Sequence, residues 1–571
     1  MDGESPAAAP ASSEGLATSL GYDPNGVPPP GDSRPADESL LEILLGSAVR
    51  HADRPALVHS GDAITYADTF AVARSIAATL AARLPGAGSP FVAFVGSRTG
   101  TAYQHLLGVL LAGRGYVPLE PEQPPRRLVS LLEQAGVSCI LAESTSLPLV
   151  AEICRGSRRA MTVVVTDVPA ASLSAVDIPG PHVLVGRDML SPHEDYVPLA
   201  VAPSDPVYML FTSGSTGVPK AVVINDRNVR ALLDATREVI RLGPDDVTAQ
   251  LYKLSFDPSV FNILMTWTAG AALVIPTSDM SVLDEAQLIA RHGVTMWSSV
   301  PSRSTLMLRM RQLKPGAYPT LRYVSQGGEA LTSELALAWS LAAPNALVYN
   351  RYGPTEATVF VTRYSWDGSG SVAESPDGRV PIGYPLDGVT VAIVDEEFGE
   401  VPDGQVGELL LAGPQVCEGY WRDPERTMQS FVAVQGRAGA YYRTGDLVRR
   451  PTASGPLHFL GRIDHQVKVL GRRIELGEVE AVARSALQVD EAVALGWPET
   501  DGGFDGIELF VVAPSGGRMA DARERLTSLL PPEAVPRHVR YVAELPMTAN
   551  GKHDRTELRR ILDAPVGRAG T

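Results

Sequence analysis

Cysteine is scarce: Cys139, Cys154 and Cys417 are the only 3 in 571 residues. They stand apart, without paired or C-x-x-C spacing, which excludes a disulfide framework or a thiolate metal centre and fits structural thiols in a reducing compartment. The 10 histidines form no zinc-type spacing either. No apolar run approaches the roughly 18 residues that a membrane-spanning helix requires. Met1-Asp2-Gly3-Glu4-Ser5 lacks the positive start of a secretory signal. Clustered basic charge is missing as well. The formal net charge is −16, whereas nucleic-acid binders and proteins held on acidic membrane surfaces carry basic stripes or patches. The expectation is an acidic cytoplasmic protein with no nucleic-acid partner and no membrane partner.

A chain of 571 residues, 44% of them hydrophobic, exceeds one core, so two or more domains are expected. Residues 1–39 are rich in Ala, Pro, Ser, Gly and Asp and poor in large apolar side chains, which makes them a disordered tail. From Leu40 onward, amphipathic stretches such as Leu40 to Val49 and Tyr66 to Leu84 alternate with β-branched runs such as Phe91 to Val95, Met161 to Val165 and Leu273 to Ile275. That alternation predicts α/β layering. Between Val389 and Leu411 apolar and polar residues alternate around turn signals at Asp403-Gly404 and Gly407, predicting a β-rich region. The last hundred or so residues mix strand-like runs (Ile507 to Val512, Val539 to Val542) with helical ones (Leu476 to Ser485, Ala520 to Leu530). A small α+β unit is expected there.

The most informative segment is Phe211-Thr212-Ser213-Gly214-Ser215-Thr216-Gly217-Val218-Pro219-Lys220, between two β-rich runs. Gly214 and Gly217 tolerate positive φ and let backbone N–H groups point inward, while Thr212, Ser213, Ser215 and Thr216 add hydroxyl donors. Lys220 adds a mobile positive charge. The loop suits polyphosphate, with a spacing different from that of the Walker P-loop.

Further along stand Leu254-Ser255-Phe256-Asp257-Pro258-Ser259, Asn350-Arg351-Tyr352-Gly353-Pro354-Thr355-Glu356, Tyr442-Arg443-Thr444-Gly445-Asp446-Leu447, Gly461-Arg462-Ile463-Asp464-His465-Gln466-Val467-Lys468 and Leu545-Pro546-Met547-Thr548-Ala549-Asn550-Gly551-Lys552. In this order, together with the hydroxyl-rich loop, they resemble the adenylation domains of nonribosomal peptide synthetases, within the adenylate-forming family. The resemblance runs from about Leu40 to Arg560. Tyr116-Val117-Pro118-Leu119-Glu120-Pro121 and the run from Gly471 to Glu480 favour the amino-acid-activating branch over the coenzyme A branch. It implies an α/β fold with a large N-terminal adenylate-forming domain, 40–463, built from two α/β layered subdomains and a β-rich subdomain. A small mobile α+β C-terminal domain, 464–571, completes the chain.

Making an acyl adenylate brings a carboxylate to the α-phosphorus of ATP, two anions that repel, while charge builds on departing pyrophosphate. The resemblance places the loop from Thr212 to Lys220 on the β- and γ-phosphates and Glu356 on Mg2+, a hard cation that prefers carboxylate oxygen. It gives Tyr352 a flat face for adenine and Asn350 an amide that reads the adenine edge. Gly328, Glu329, Gly353 and Thr355 line the nucleotide, and Asp446 takes the ribose hydroxyls with help from Arg462. Lys552 follows the hairpin signal Asn550-Gly551. The resemblance has it bridge the substrate carboxylate and the α-phosphate. The resemblance also makes Asp464 the hinge about which the small domain turns to present the Gly471 loop to an incoming thiol.

Asp257 is the expected partner of an α-amino acid's ammonium, a costly group to bury unpaired. The remaining pocket positions by resemblance are Pro258, Phe261, Ser298, Ser325, Gly327, Arg351, Val359 and Phe360. Two phenylalanines and an arginine narrow this pocket toward glycine, alanine or serine. Arg351 either pairs with an acidic substrate side chain, which makes aspartate-like acids the alternative, or folds outward onto a protein carboxylate, which is the expectation.

No carrier-type serine motif and no condensation-type paired histidines occur, so a free-standing enzyme is expected. It would load a separate carrier protein through the phosphopantetheine thiol, with an MbtH-like helper protein as a candidate partner. The alternatives are an acyl-CoA ligase and an inactive nucleotide-binding scaffold.

Overall fold

Every residue of the strand Phe91–Val95 is apolar and buried, as in a parallel strand covered on both faces. Its side chains divide by parity: Phe94 and Val92 join one core, Phe91, Ala93 and Val95 another. A computed structural model describes residues 38–563, apart from short segments at 85–87, 97, 175, 179, 195, 214–217, 277–280, 376, 453, 464–465, 501–502, 513–520 and 548–552. Among the described residues, Phe91–Val95 belongs to a seven-stranded sheet that ends in the antiparallel pair Pro206–Thr212 and Lys220–Asn225. A nine-stranded sheet carries the central parallel strands Met296–Ser299, Tyr323–Gly327 and Leu347–Tyr352.

The largest core lies between these two sheets. Helices Leu40–Arg50, Tyr66–Arg83, Gly100–Leu111 and Pro258–Thr268 supply it, with Trp267 and Tyr103 fully buried at its centre. The first of these helices opens with a capping box in which Ser39 accepts from the Glu42 N–H and Glu42 answers at Ser39. Ser39 is thus a buried helix cap and not part of the tail, because the four unpaired N–H groups at a helix start favour such a partner.

The predicted β-rich region is a five-stranded antiparallel sheet in which Thr390–Val394, Val406–Ala412 and Ala440–Arg449 run side by side, and His458–Arg462 pairs with Ala440–Arg449. Beyond it, Gln466–Val469 and Arg472–Glu475 form a hairpin, and Ala492–Gly496, Ile507–Val512 and His538–Val542 form a three-stranded sheet backed by the helix Leu476–Leu487. This is the large N-terminal and small C-terminal organisation expected from the sequence. The helix expected from Ala520 to Leu530 is shorter, Ala522–Thr527, and the chain leaves it for the prolines Pro531 and Pro532, which cannot continue a helix interior. Its expected start lies outside the described residues.

Candidate active site

The hydroxyl-rich segment is a hairpin connection, as expected. Thr212 faces Lys220 across its base, while Gly214, Ser215, Thr216 and Gly217 lie outside the described residues. At the base, Thr212 Oγ1 is buried without a hydrogen-bond partner among the described residues. Lys220 Nζ lies 3.6 Å from Glu475 Oε1 and 5.6 Å from the centre of the Tyr420 ring.

Next to this corner stands Glu356, carried on the short helical turn Thr355–Ala357 and fully buried. Tyr420 Oη donates to its Oε1 at 2.9 Å and Arg473 Nη1 reaches its Oε2 at 3.1 Å. Burial alone would push the Glu356 pKa up, but the charges of Arg473 and Lys220 hold it below the ordinary carboxylate value. An oxygen donor that stays ionised inside the protein, beside an unpartnered hydroxyl, suits a hard divalent cation. Among the described residues no cluster of three or more His, Cys, Asp or Glu competes for that assignment.

On the other side of the strand Leu347–Tyr352 opens a cleft of about 710 Å³, lined in part by Gly328, Glu329, Asn350, Tyr352, Gly353 and Arg462. The carboxyl ends of neighbouring parallel strands meet here, where α/β sheets characteristically bind ligands. Tyr352 Oη donates to Asp446 Oδ2, and the Arg462 guanidinium pairs with Asp446 Oδ1. Asp446, Tyr352 and Arg462 are therefore brought together as one unit. The Asn350 amide nitrogen is already committed to the Val380 and Pro381 carbonyls at 3.1 and 2.9 Å, so its carbonyl oxygen is what remains for a ligand. Glu329 accepts from the Ser302 N–H at 2.6 Å, and burial raises its pKa.

Strand register assembles the expected amino-acid pocket. Ser298, Ser325 and Tyr349 pair in one row, and Gly327 and Arg351 pair two residues further on, on the same face. This is the inter-sheet face, opposite Asn350 and Tyr352, and the helix Pro258–Thr268 closes it. Phe261 on that helix meets Phe360 edge to face, ring centres 5.4 Å apart. Pro258 begins the helix, a position where its missing N–H costs nothing. Val359 and the preceding Thr358 both adopt positive φ, +70° and +57°, a strained pair for non-glycine residues. Gly327 is required by space: a Cβ there would lie 2.9 Å from the Arg351 carbonyl and 3.1 Å from the Phe360 ring.

Asp257 stands at the N-cap position of the same helix, yet its side chain caps nothing. It is 5% exposed. Burial drives its pKa up to about 7, against a hydrogen bond from the Thr355 hydroxyl that favours the charged form and with a further push from the Glu356 charge. Arg351 departs from expectation. It does not fold outward onto a carboxylate but is 3% exposed, with its guanidinium 4.7, 5.6 and 5.2 Å from the ring centres of Phe261, Tyr349 and Phe360. Its strand parity aims it inward, and the rings offer cation–π contact there.

The small domain meets this site through the Gly471 loop. Gly471, at φ +80°, packs on Val300, and Ser213 Oγ accepts from the Glu475 N–H at 2.9 Å and donates to the Arg473 carbonyl at 3.2 Å. Arg127 and Glu478 pair at 2.7 Å across the same boundary. Asp464 and Lys552 lie outside the described residues. The base of the Lys552 turn is described: Met547 pairs with His553, and Leu545 packs on Val493, Leu495 and Phe510.

The sequence matches the AMP-binding enzyme family over residues 45–421 and the AMP-binding enzyme C-terminal domain over residues 478–552. The chain belongs to this family. It is an adenylation domain of the nonribosomal peptide synthetase type. Tyrocidine synthase 3 of Brevibacillus parabrevis is 30% identical over 530 residues, covering 91% of this chain and 8% of that protein. The phosphinothricin tripeptide synthetase PhsC of Streptomyces viridochromogenes is 34% identical over 528 residues, covering 91% of this chain and 45% of PhsC. The chain thus spans less than half the length of these two synthetases. Among solved structures, the Vibrio cholerae adenylation domain AlmE in complex with glycyl-adenosine-5'-phosphate superposes with a TM-score of 0.82 at 27% identity, covering 95% of this chain and 100% of that one.

Three working parts of this adenylation domain escaped the sequence reading. Tyr420 orients Glu356 from the β-rich side, and no local pattern marks it. Gln415 clamps the strained turn: the Thr358 hydroxyl donates to its backbone carbonyl, and its side-chain amide donates to the Phe360 carbonyl at 2.7 Å. Arg473 lies in the quoted Gly471 run, but its ion pair with Glu356 spans 117 positions, beyond any periodicity signal.

Proposed function

We propose that the protein joins a short amino acid to ATP as an aminoacyl adenylate, releasing pyrophosphate, and passes the aminoacyl group to the phosphopantetheine thiol of a separate carrier protein in the cytoplasm. One observation carries the reading: Asp257 is a buried carboxylate at a helix start that caps no N–H, takes a hydrogen bond from the Thr355 hydroxyl and feels the Glu356 charge. A helix N-terminus normally uses such a side chain as its cap, so an uncapping, half-neutralised carboxylate is suited to an incoming ammonium. The glycyl adenylate of the AlmE complex supports a small substrate such as glycine, alanine or serine, as do the rings that narrow this pocket.

In this reading Thr212, Ser213, Gly214, Ser215, Thr216, Gly217 and Lys220 hold the polyphosphate. Gly328, Glu329, Asn350, Tyr352, Gly353 and Thr355 take the adenine side, and Asp446 with Arg462 holds the ribose. Glu356 and the polyphosphate hold Mg2+, which supplies charge neutralisation at the departing pyrophosphate. Lys552 cancels the repulsion between the two reacting anions, and Asp464 is the hinge between 40–463 and 464–571. Turning about Asp464 exchanges Lys552 for the Gly471 loop, which meets the incoming thiol.

Incubation with ATP, Mg2+, an amino-acid mixture and a panel of holo-carrier proteins tests this. Intact-mass measurement should show one carrier gaining a single aminoacyl residue. Aminoacyl-coenzyme A without any loaded carrier would contradict the carrier assignment, and absence of any aminoacyl adenylate would contradict the whole reading.

A further inference from the structure

The pocket assigned above to the amino-acid side chain contains a cation for which the described protein offers no anion. The Arg351 guanidinium forms no ion pair and no hydrogen bond among the described residues, and its Nε is sealed from solvent without an acceptor there. Guanidinium carries five N–H donors and no acceptor. Ring faces of Phe261, Tyr349 and Phe360 offset part of its desolvation, but they are poor acceptors for those donors. If the side chain served only to fill space, leucine or methionine would do so without burying a charge.

Its surroundings are polar where a ligand would reach it. Ser325 Oγ, on the neighbouring strand and the same face, is buried without a partner among the described residues. Tyr252 Oη and Ser298 Oγ share a hydrogen bond of 3.2 Å one strand further on. Gly327 removes the one side chain that would stand between Phe360 and the Arg351 backbone. The pocket therefore has an acidic wall at Asp257 and a basic wall at Arg351. Burial lowers the Arg351 pKa to about 9, which still leaves it protonated at neutral pH.

Resting on the adenylation reading above, we propose that the substrate is a dicarboxylic amino acid of the aspartate class, whose second carboxylate pairs with Arg351 while Asp257 takes the ammonium. This departs from the glycine, alanine or serine that the AlmE ligand supports, because none of those three side chains offers an anion to the guanidinium. Arg351 is then the residue that selects the acid over its isosteric amide.

The test is amino-acid-dependent ATP–pyrophosphate exchange by the full chain with L-aspartate, D-aspartate, L-glutamate, L-asparagine, L-alanine, glycine and L-serine. Wild type, Arg351→Leu and Arg351→Lys are compared. One of the acids is expected to exceed asparagine and alanine in kcat/KM by at least about tenfold, since a site built for a polar group rejects analogues lacking it. Arg351→Leu should lose about 100-fold or more on that acid and with it the preference for the acid over alanine, with Arg351→Lys in between. The wild-type ranking decides the matter even if a variant fails to fold. Preference for glycine, alanine or serine with no acid turned over would overturn the pairing and leave adenylation standing. No exchange with any amino acid would overturn the adenylation reading, and this inference with it.

Discussion

Arg473 Nη1 lies 3.1 Å from Glu356 Oε2, an ion pair that joins the small domain to a carboxylate buried in the large one. The pair is sequestered, and its charges raise the Arg473 pKa and lower that of Glu356. Breaking such a pair by removing one partner typically costs about 3–5 kcal/mol, less where a side chain is partly hydrated. In this orientation the guanidinium takes an oxygen that the reading above assigns to metal, so the two uses of Glu356 alternate. Arg473→Ala should leave pyrophosphate exchange within about threefold of wild type and slow carrier loading by at least about tenfold, the equivalent of 1.4 kcal/mol. Parallel exchange and loading assays check it, and equal loss in both would contradict it.

Gly471 makes the same interface sensitive to a single methyl. A Cβ at this position would sit 2.5 Å from Val300 Cγ1, and the backbone is at φ +80°. Val300 is β-branched and cannot swing away freely. Gly471→Ala should therefore slow thioester formation by about tenfold or more and spare exchange, with Val300→Ala restoring only the part due to the clash, because the cost of positive φ remains. Single-turnover loading from preformed adenylate measures this.

The raised pKa of Asp257 predicts a pH dependence of substrate affinity. Burial puts its midpoint at about 7, and only the ionised form attracts an ammonium. Below pH 7 the KM for the amino acid should rise about tenfold per pH unit, flattening above it, while the KM for ATP follows no such curve. Asp257→Asn should abolish that slope and raise the amino-acid KM by about 100-fold or more. Initial-rate exchange between pH 5.5 and 8.5, as an assay range of about 3 units around the midpoint, reads both effects.

Gln415 is predicted to act on the amino acid through the turn it holds. Its side-chain amide donates to the Phe360 carbonyl at 2.7 Å, the bond that truncation removes, while its backbone carbonyl takes the Thr358 hydroxyl. Thr358 and Val359 are kept at positive φ, a conformation costing about 1–3 kcal/mol that persists only under such restraint. Gln415→Ala should raise the amino-acid KM by about tenfold with the ATP KM little changed. Comparable rises in both would place the effect elsewhere.

Local patterns made much of this fold legible. Apolar runs located Phe91–Val95 and Ile507–Val512 with the observed boundaries, and hydroxyl and glycine chemistry located the connection between Thr212 and Lys220. Ser39 was misplaced because a cap is defined by its helix as well as by the polarity of its own neighbourhood. Arg351 was misread because composition favours an arginine escaping to solvent, whereas the parity of its strand aims it between three rings. Contacts such as Arg473 with Glu356 and Gln415 with Phe360 join distant segments. Only the assembled domains bring those partners together.

Aminoacyl adenylation assisted by Lys552 is tested most directly by amino-acid-dependent ATP–pyrophosphate exchange, measured for wild type and Lys552→Ala alongside equilibrium binding of ATP. The prediction is exchange in wild type only when an amino acid is present, its loss in the variant, and ATP affinity retained in both. Exchange of near-normal rate in Lys552→Ala, or none in wild type with any amino acid, would contradict it.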